Sequence, residues 1–313
     1  MAYFIQRIFW FALTALGVLT LVFLLLRLAP GDPVEVMFDI QTDNISVETI
    51  ERIRRDYGLD LPLHRQYLNY IASAIRGDFG TSFYFRRPVA QEMKRNFPPT
   101  AALAVAGISI AITLGVGSGI ISALRPNTLI DYIVTTVSML GLSAPNFWLG
   151  ILLIYVFAFQ LRWFPIVSSA TTLTEHLHIL VLPALTIGTS SAALIARMTR
   201  SAVLEVLGLD YIRTAYAKGL AQRTVVYKHA LRNAAIPVIT IAGLSFAALL
   251  GGAVVVEFVF AREGLGWLIV GAVYNRDYPV LQGSMVLLVV IIMSVNLLVD
   301  LTYTLLDPRI RYD

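Results

Sequence analysis

The sequence has no cysteine and few charges: 14% of its 313 residues are Asp, Glu, Lys or Arg, and only four are His. The missing cysteine excludes disulfide frameworks, thiolate metal sites and a cysteine nucleophile. Four histidines leave little material for a histidine-built metal cluster. A soluble domain carries about 25% charge and about 45–50% apolar residues. Here 57% are hydrophobic and the mean hydropathy is +0.73. Both departures exclude a soluble enzyme and a disordered chain.

Charged side chains are costly in hydrocarbon, so charge-free runs locate membrane spans of about 20 residues. Six runs are long enough: 8–26, 96–124, 132–161, 176–196, 233–256 and 278–299. Runs 163–174 and 264–275 are shorter, contain Pro or Gly, and read as interfacial or re-entrant pieces. The fold class is therefore an all-α membrane protein with about six transmembrane helices. The first run is read as a retained span, because it exceeds the usual signal h-region of about 7–15 residues and Ala29-Pro30-Gly31 is a poor cleavage site. Three segments follow: the first span at 1–31, a charged segment at 32–95, and a five-helix core at 96–313.

The positive-inside rule sets the orientation. With the N-terminus inside, 11 basic residues face the cytoplasm, among them Arg125, Arg197, Arg200 and Lys228. Four face outward: Arg27, Arg162, Arg262 and Arg276. Both termini are expected in the cytoplasm. Segment 32–95, with 9 basic and 10 acidic residues, is left out of that count and suits a small translocated piece. Within it Ser46 is a candidate N-cap with Glu48 in the first turn, followed by Ile50, Ile53 and Tyr57. Leu63, Tyr67, Tyr70, Ile71 and Ala74 form a second helical stripe stopped by Gly77. Two short amphipathic helices either cap the outer mouth of the bundle or serve only as packing.

The cytoplasmic stretch 197–236 holds seven basic residues and two acidic ones, Glu205 and Asp210, with Gly208 and Gly219 dividing it into short helical pieces. It reads either as a basic loop that fixes topology on anionic lipid or as a docking surface for a soluble partner.

The six runs contain no Asp, Glu, Lys or Arg, which disfavours a proton-driven antiporter. Asp131, Arg197, Glu257 and Asp300 sit at span ends, where interfacial anchoring or end-to-end ion pairs account for them. No histidine lies mid-span beside a nucleophile, which disfavours an intramembrane enzyme. Gly115-Val116-Gly117-Ser118-Gly119 is read as close helix packing. There is no phosphate-binding G-x-x-x-x-G-K-[ST], so the chain cannot hydrolyse ATP itself. Nor is there a basic–aromatic surface for nucleic acid. The bundle is thus passive or driven by a partner that grips the cytoplasmic loop. Pro145 is a kink candidate, Pro183 a break in span four, and Pro237 a helix-start proline opening span five. Ser143 and Asn146 are polar at membrane depth, and with Pro145 between them they are candidate path-lining residues.

These features lead to a resemblance. It rests on Ala29-Pro30-Gly31-Asp32-Pro33, Tyr57-Gly58-Leu59-Asp60, Gly77-Asp78-Phe79-Gly80, the run from Asp210 to Leu220, His229-Ala230-Leu231-Arg232-Asn233-Ala234-Ala235-Ile236-Pro237, Arg276-Asp277-Tyr278-Pro279-Val280, Asn296 to Asp300, and Asp307-Pro308-Arg309-Ile310-Arg311. In this order they resemble the inner-membrane permease subunits of bacterial ABC importers of the dipeptide/oligopeptide/nickel type. The resemblance implies a type I importer bundle in the inner membrane with a small extracytoplasmic segment. The cytoplasmic stretch is similar to the family's Glu-Ala-Ala…Gly loop, with Arg213-Thr214-Ala215 and Gly219 at those places. That implies ATPase coupling through Asp210, Tyr211, Arg213, Thr214, Ala215, Lys218, Gly219 and Leu220, with the Ala215 face packed against the ATPase. It also implies a homologous second permease, two ATPase subunits and an extracytoplasmic solute-binding protein. No cofactor is expected in this chain; ATP-Mg belongs to the ATPase partners. The expected cargo is small peptides, with nickel chelates, glutathione or opines as the alternative.

Overall fold

The computed structural model describes residues 2–28, 47–56, 58–165 and 172–306. Ser46, Tyr57, the run Ala29–Pro33 and the run Asp307–Arg311 lie outside the described residues, as do the side chains of Ile50, Ile53 and Asp300. The described residues are almost entirely helical, with one isolated bridge between Thr81 and Pro88. Eleven helices are named here in chain order: α1 (Ala2–Leu28), α2 (Val47–Asp56), α3 (Leu63–Ile75), α4 (Val89–Leu124), α5 (Leu129–Ser143), α6 (Asn146–Gln160), α7 (Leu173–Leu207), α8 (Asp210–Ala217), α9 (Gln222–Val259), α10 (Leu265–Tyr274) and α11 (Tyr278–Leu306). α1, α4, α7, α9 and α11 are each long and apolar enough to cross a bilayer, and α5 with α6 supplies a sixth crossing if the pair is one span.

Run 132–161 is not one straight helix. α5 and α6 meet at 106°. Proline's ring disfavours helical backbone in the residue before it, and Ala144 accordingly takes ψ 125°, with Pro145 extended at ψ 134°. The proline kink expected from sequence is therefore a complete break. Pro237 behaves in the opposite way. It does not open a helix: α9 starts at Gln222, and Pro237 lies well inside it. The chain loses one backbone donor there, which a membrane helix with packed neighbours tolerates. The helix-start reading failed because a π-helical segment, Val225–Ala230, carries the helix through the charged residues ahead of the apolar run.

The chain divides into two units, residues 1–99 with 263–291, and residues 100–262 with 292–313. In the first unit, α1 lies on α3: the Phe23 ring stacks on Tyr70 at 5.7 Å and meets Tyr67 edge-on at 5.4 Å. Val89, Met93, Leu265, Leu268, Ala272 and Val280 form the unit's apolar core. Gly283 is needed there, because a Cβ would stand 2.8 Å from Val89 Cγ1 and 3.0 Å from the Phe79 ring. Asp277 heads α11, accepting hydrogen bonds from Ser82 Oγ, the Tyr84 amide and the Val280 amide.

The second unit is built around α7, fifteen of whose residues are buried. Its N-terminus is closed by Thr172 and Glu175, each satisfying the other's backbone N–H. α4 approaches α7 through a seam of glycines. A Cβ on Gly107, Gly115 or Gly119 would stand 2.6–2.8 Å from α7 atoms, including the Ala192 and Ala196 carbonyls. The packing reading of Gly115–Gly119 therefore holds at Gly115 and Gly119, while Gly117 faces open space. Ser118 donates back to the Leu114 carbonyl at 2.6 Å.

Candidate functional site

The segment after α7 turns at Gly208, runs through the short helix α8, and returns into α9. α8 closes in a way only a left-handed residue permits. Lys218 is the C-cap, Gly219 follows with φ +76°, the Gly219 amide bonds the Tyr216 carbonyl (2.9 Å), and the Leu220 amide reaches back to Ala215 (3.3 Å). This double closure requires the αL conformation at Gly219, so the sequence reading of Gly219 as the stop is met.

α8 has two faces. Ile212 and Ala215 are buried, in one cluster with Ala202, Val203, Val206, Val225, Ala230 and Ala234 from α7 and α9. Ala215 therefore does not lie on an outward face. The expectation that its side is the one offered to a partner is corrected: at helical spacing the apolar pair 212/215 is what fastens α8 to its own chain. The opposite face, with Asp210, Tyr211, Arg213, Thr214, Tyr216, Lys218 and Leu220, is exposed. Tyr211 is braced on that face, its hydroxyl accepting from Asn233 Nδ2 at 2.6 Å. Thr214 Oγ1 donates to the Asp210 carbonyl at 3.0 Å. The Arg213–Asp210 pair at 3.3 Å has both side chains in solvent and holds nothing in place. What α8 presents is an aromatic and basic surface on a firmly seated helix.

At the α5–α6 break the three candidates separate. Ser143 is exposed, but its Oγ is committed to the Met139 carbonyl at 3.0 Å. Pro145 is exposed, and half-buried Asn146 turns toward α9, where a Cβ on Gly252 would stand 3.9 Å from its Nδ2. α6 is held against α7 and α9 at Gly150, whose position allows Thr186, Val259 and Phe260 to close in.

Two polar clusters escaped the sequence reading. Asp131, 3% exposed, receives Arg200 Nε at 2.7 Å and Nη2 at 2.8 Å, together with Ser122 Oγ and the Asn127 amide. The pair joins the start of α5 to α7. Glu257 is fully buried in α9 and accepts from Thr100 Oγ1 at 2.6 Å. Both acids had been placed at span ends, which was right for their position. Nothing in the charge-free runs said which base or hydroxyl would meet them.

The comparisons with known proteins bear on this arrangement as a whole. Residues 115–312 match the family described as binding-protein-dependent transport system inner membrane component, and residues 1–104 match its N-terminal counterpart. The chain is 44% identical over 310 residues to the glutathione transport system permease protein GsiC of Pectobacterium atrosepticum, covering 99% of both chains. It is 43% identical, with the same coverage, to GsiC of Escherichia coli strain K12. Among solved structures, an inward-facing MetNI methionine ABC transporter gives a TM-score of 0.56 at 20% identity, over 69% of this chain and 96% of that one. An amino acid ABC transporter gives 0.53 at 13% identity, over 68% and 94%. The structural matches speak for the fold alone. The sequence matches place the chain among multi-pass inner-membrane transport components rather than enzymes: it belongs to the binding-protein-dependent transport system inner membrane components, as a permease subunit of a bacterial ABC importer of the dipeptide/oligopeptide/nickel type.

Proposed function

We propose that this permease forms one half of the path of an ATP-driven importer for glutathione and closely related short peptides. The observation that carries the cargo is the 43–44% identity, end to end, with permeases named for glutathione transport. It favours glutathione over the broader range of small peptides expected from the sequence. The exposed face of α8 supports the coupling part of the reading. A short helix that buries Ile212 and Ala215 in its own chain leaves Tyr211, Tyr216, Lys218 and Leu220 to meet an ATPase subunit. The full machine then has a homologous second permease, two ATPase subunits that bind ATP-Mg, and a solute-binding protein outside. Both termini and α8 face the cytoplasm, and Ser143 and Asn146 border the conduit.

The test is uptake of labelled glutathione by vesicles carrying the whole importer, with dipeptides and nickel as competitors. The expected result is ATP-dependent uptake that unlabelled glutathione suppresses more strongly than nickel does. Uptake of nickel, unaffected by glutathione, would overturn the cargo.

A further inference from the structure

The first unit contains a cavity of about 340 Å³, within the size range of small-molecule sites. Its wall is one face of α3. Gln66, Asn69, Tyr70 and Ser73 follow at i, i+3, i+4 and i+7, so a single helical face lines the cavity with four polar side chains. The two turns singled out in the sequence, at Gly58 and at Gly77-Asp78-Phe79-Gly80, meet at this cavity, with Gln282 of α11 beside them. Gly77 (φ +73°) and Gly80 (φ +75°) allow the tight turn, and Asp78 Oδ1 holds it by accepting from the Gly80 amide at 3.0 Å. The absence of a side chain on Gly283 lets Phe79 pack on α11.

Two polar atoms in this wall are buried and have no hydrogen-bond partner: Gln66 Oε1 and the Tyr70 hydroxyl. Gln66 is not free to turn away, because its Nε2 donates to the Leu61 carbonyl at 2.7 Å and to Leu59 at 3.1 Å. That fixes Oε1 as a bare acceptor. Burial raises the Tyr70 pKa above the ordinary tyrosine range, so its hydroxyl stays a neutral donor. A buried polar group without a partner is costly, and here an acceptor and a donor belong to residues that line the same cavity. Among the described lining residues Asp78 is the one charged group, and it is exposed at the rim.

We propose that this cavity is a binding site for the amino-terminal end of a short peptide. One acceptor and one donor match the N–H and C=O of a peptide group, and the Asp78 carboxylate matches the α-ammonium. The ligand's being a peptide rests on the cargo class proposed above; the ammonium-plus-amide chemistry rests on the cavity alone.

The assembled importer in lipid nanodiscs, without its solute-binding protein, is titrated with alanyl-alanine and N-acetyl-alanyl-alanine. Alanyl-alanine is expected to bind, and the acetylated form to bind about tenfold more weakly, the scale of one charge-assisted hydrogen bond. Tyr70→Phe keeps the ring stacked on Phe23 and removes only the hydroxyl; it should weaken alanyl-alanine by about tenfold with an unchanged unfolding temperature. Asp78→Asn keeps the bond to Gly80 and should abolish the preference for the free amine. Equal binding by wild type, Tyr70→Phe and Asp78→Asn overturns the site, as does no binding of any probe at millimolar concentration, which leaves a water-filled cavity. Binding here by an importer that fails to take up glutathione or dipeptides sinks the cargo reading and leaves the site standing.

Discussion

Arg200 holds Asp131 with two nitrogens, Nε on Oδ1 at 2.7 Å and Nη2 on Oδ2 at 2.8 Å. The two ends of this fork are unequally buried: the Asp131 side chain is 4% exposed and that of Arg200 30%. Removing one partner of a buried pair leaves the other uncompensated, at about 3–5 kcal/mol in the worst case. Arg200→Leu strands a carboxylate that cannot reach water, with Ser122 and the Asn127 amide as its remaining donors. Asp131→Asn strands a long cation that can extend toward solvent. Arg200→Leu should therefore lower the unfolding temperature in detergent more than Asp131→Asn, and the double variant should be less destabilised than the sum of the two. An additive double variant would mean the fork contributes little.

α8 separates two kinds of substitution. Ala215→Trp drives an indole into the cluster of Val203, Val206 and Val225, where overpacking costs about 1–3 kcal/mol. It should reduce the yield and stability of the permease before any ATPase is added. Tyr216→Ala touches only the exposed face and should leave stability unchanged while lowering substrate-stimulated ATP hydrolysis. Gly219→Val forces a β-branched residue to φ +76° and should do both. The pair of assays, unfolding of the permease alone and ATP hydrolysis by the complex, tells them apart.

The glycine seam gives a contrast within one short sequence. Gly119→Val places a side chain where a Cβ alone would stand 2.6 Å from the Ala196 carbonyl, whereas a Cβ on Gly117 meets nothing within 4 Å. Gly119→Val should lose folded protein in detergent, and Gly117→Ala should match the wild type or exceed it, since alanine is the better helix former. Equal behaviour of the two would mean that α4 does not pack on α7 through this seam.

The helices were legible because hydrocarbon tolerates so few charges that each span announces itself as a charge-free run. Amphipathic spacing, not the absence of charge, located α2 and α3, and the helix–glycine–helix pattern located the stop at Gly219. The sequence reading could not place Pro237, since a helix in lipid continues through proline when neighbours pack around it, and the charged residues before it looked like a loop. It also misread Ala215. A small residue in a short helix between spans signals close contact, but sequence alone does not say whether that contact is with a partner or with the chain itself. Asp131 and Arg200 lie 69 positions apart, and no local pattern connects them.

Orientation has its own test. The asymmetry of 11 inner to 4 outer basic residues predicts that alkaline phosphatase fused after residue 90 is active, and that the same enzyme fused after residue 225 is inactive. Green fluorescent protein at the same two points should give the reverse. An active phosphatase at 225 would turn the whole layout over and would put α8 on the wrong side to meet an ATPase.

The break between α5 and α6 is where the conduit proposal is most exposed to failure. Backbone freed from helical bonding at membrane depth is tolerated only where it is buried in protein or lines a water-filled cavity. Ser143 satisfies itself on Met139, so its hydroxyl has no need of a neighbour. Asn146 is the more informative probe, because its amide points toward the glycine gap at Gly252 in α9. A chain without native cysteine allows single-cysteine labelling without background. Asn146→Cys should react with a membrane-impermeant thiol reagent in at least one nucleotide state of the assembled importer, and less in another. Gly252→Leu should slow that reaction and reduce transport, because the added side chain fills the space the amide faces. Leu140→Cys, exposed on the same broken span, controls for general access of the reagent. If Asn146→Cys stays unreactive in every state while remaining assembled, the break serves helix packing, and the path lies elsewhere in the bundle.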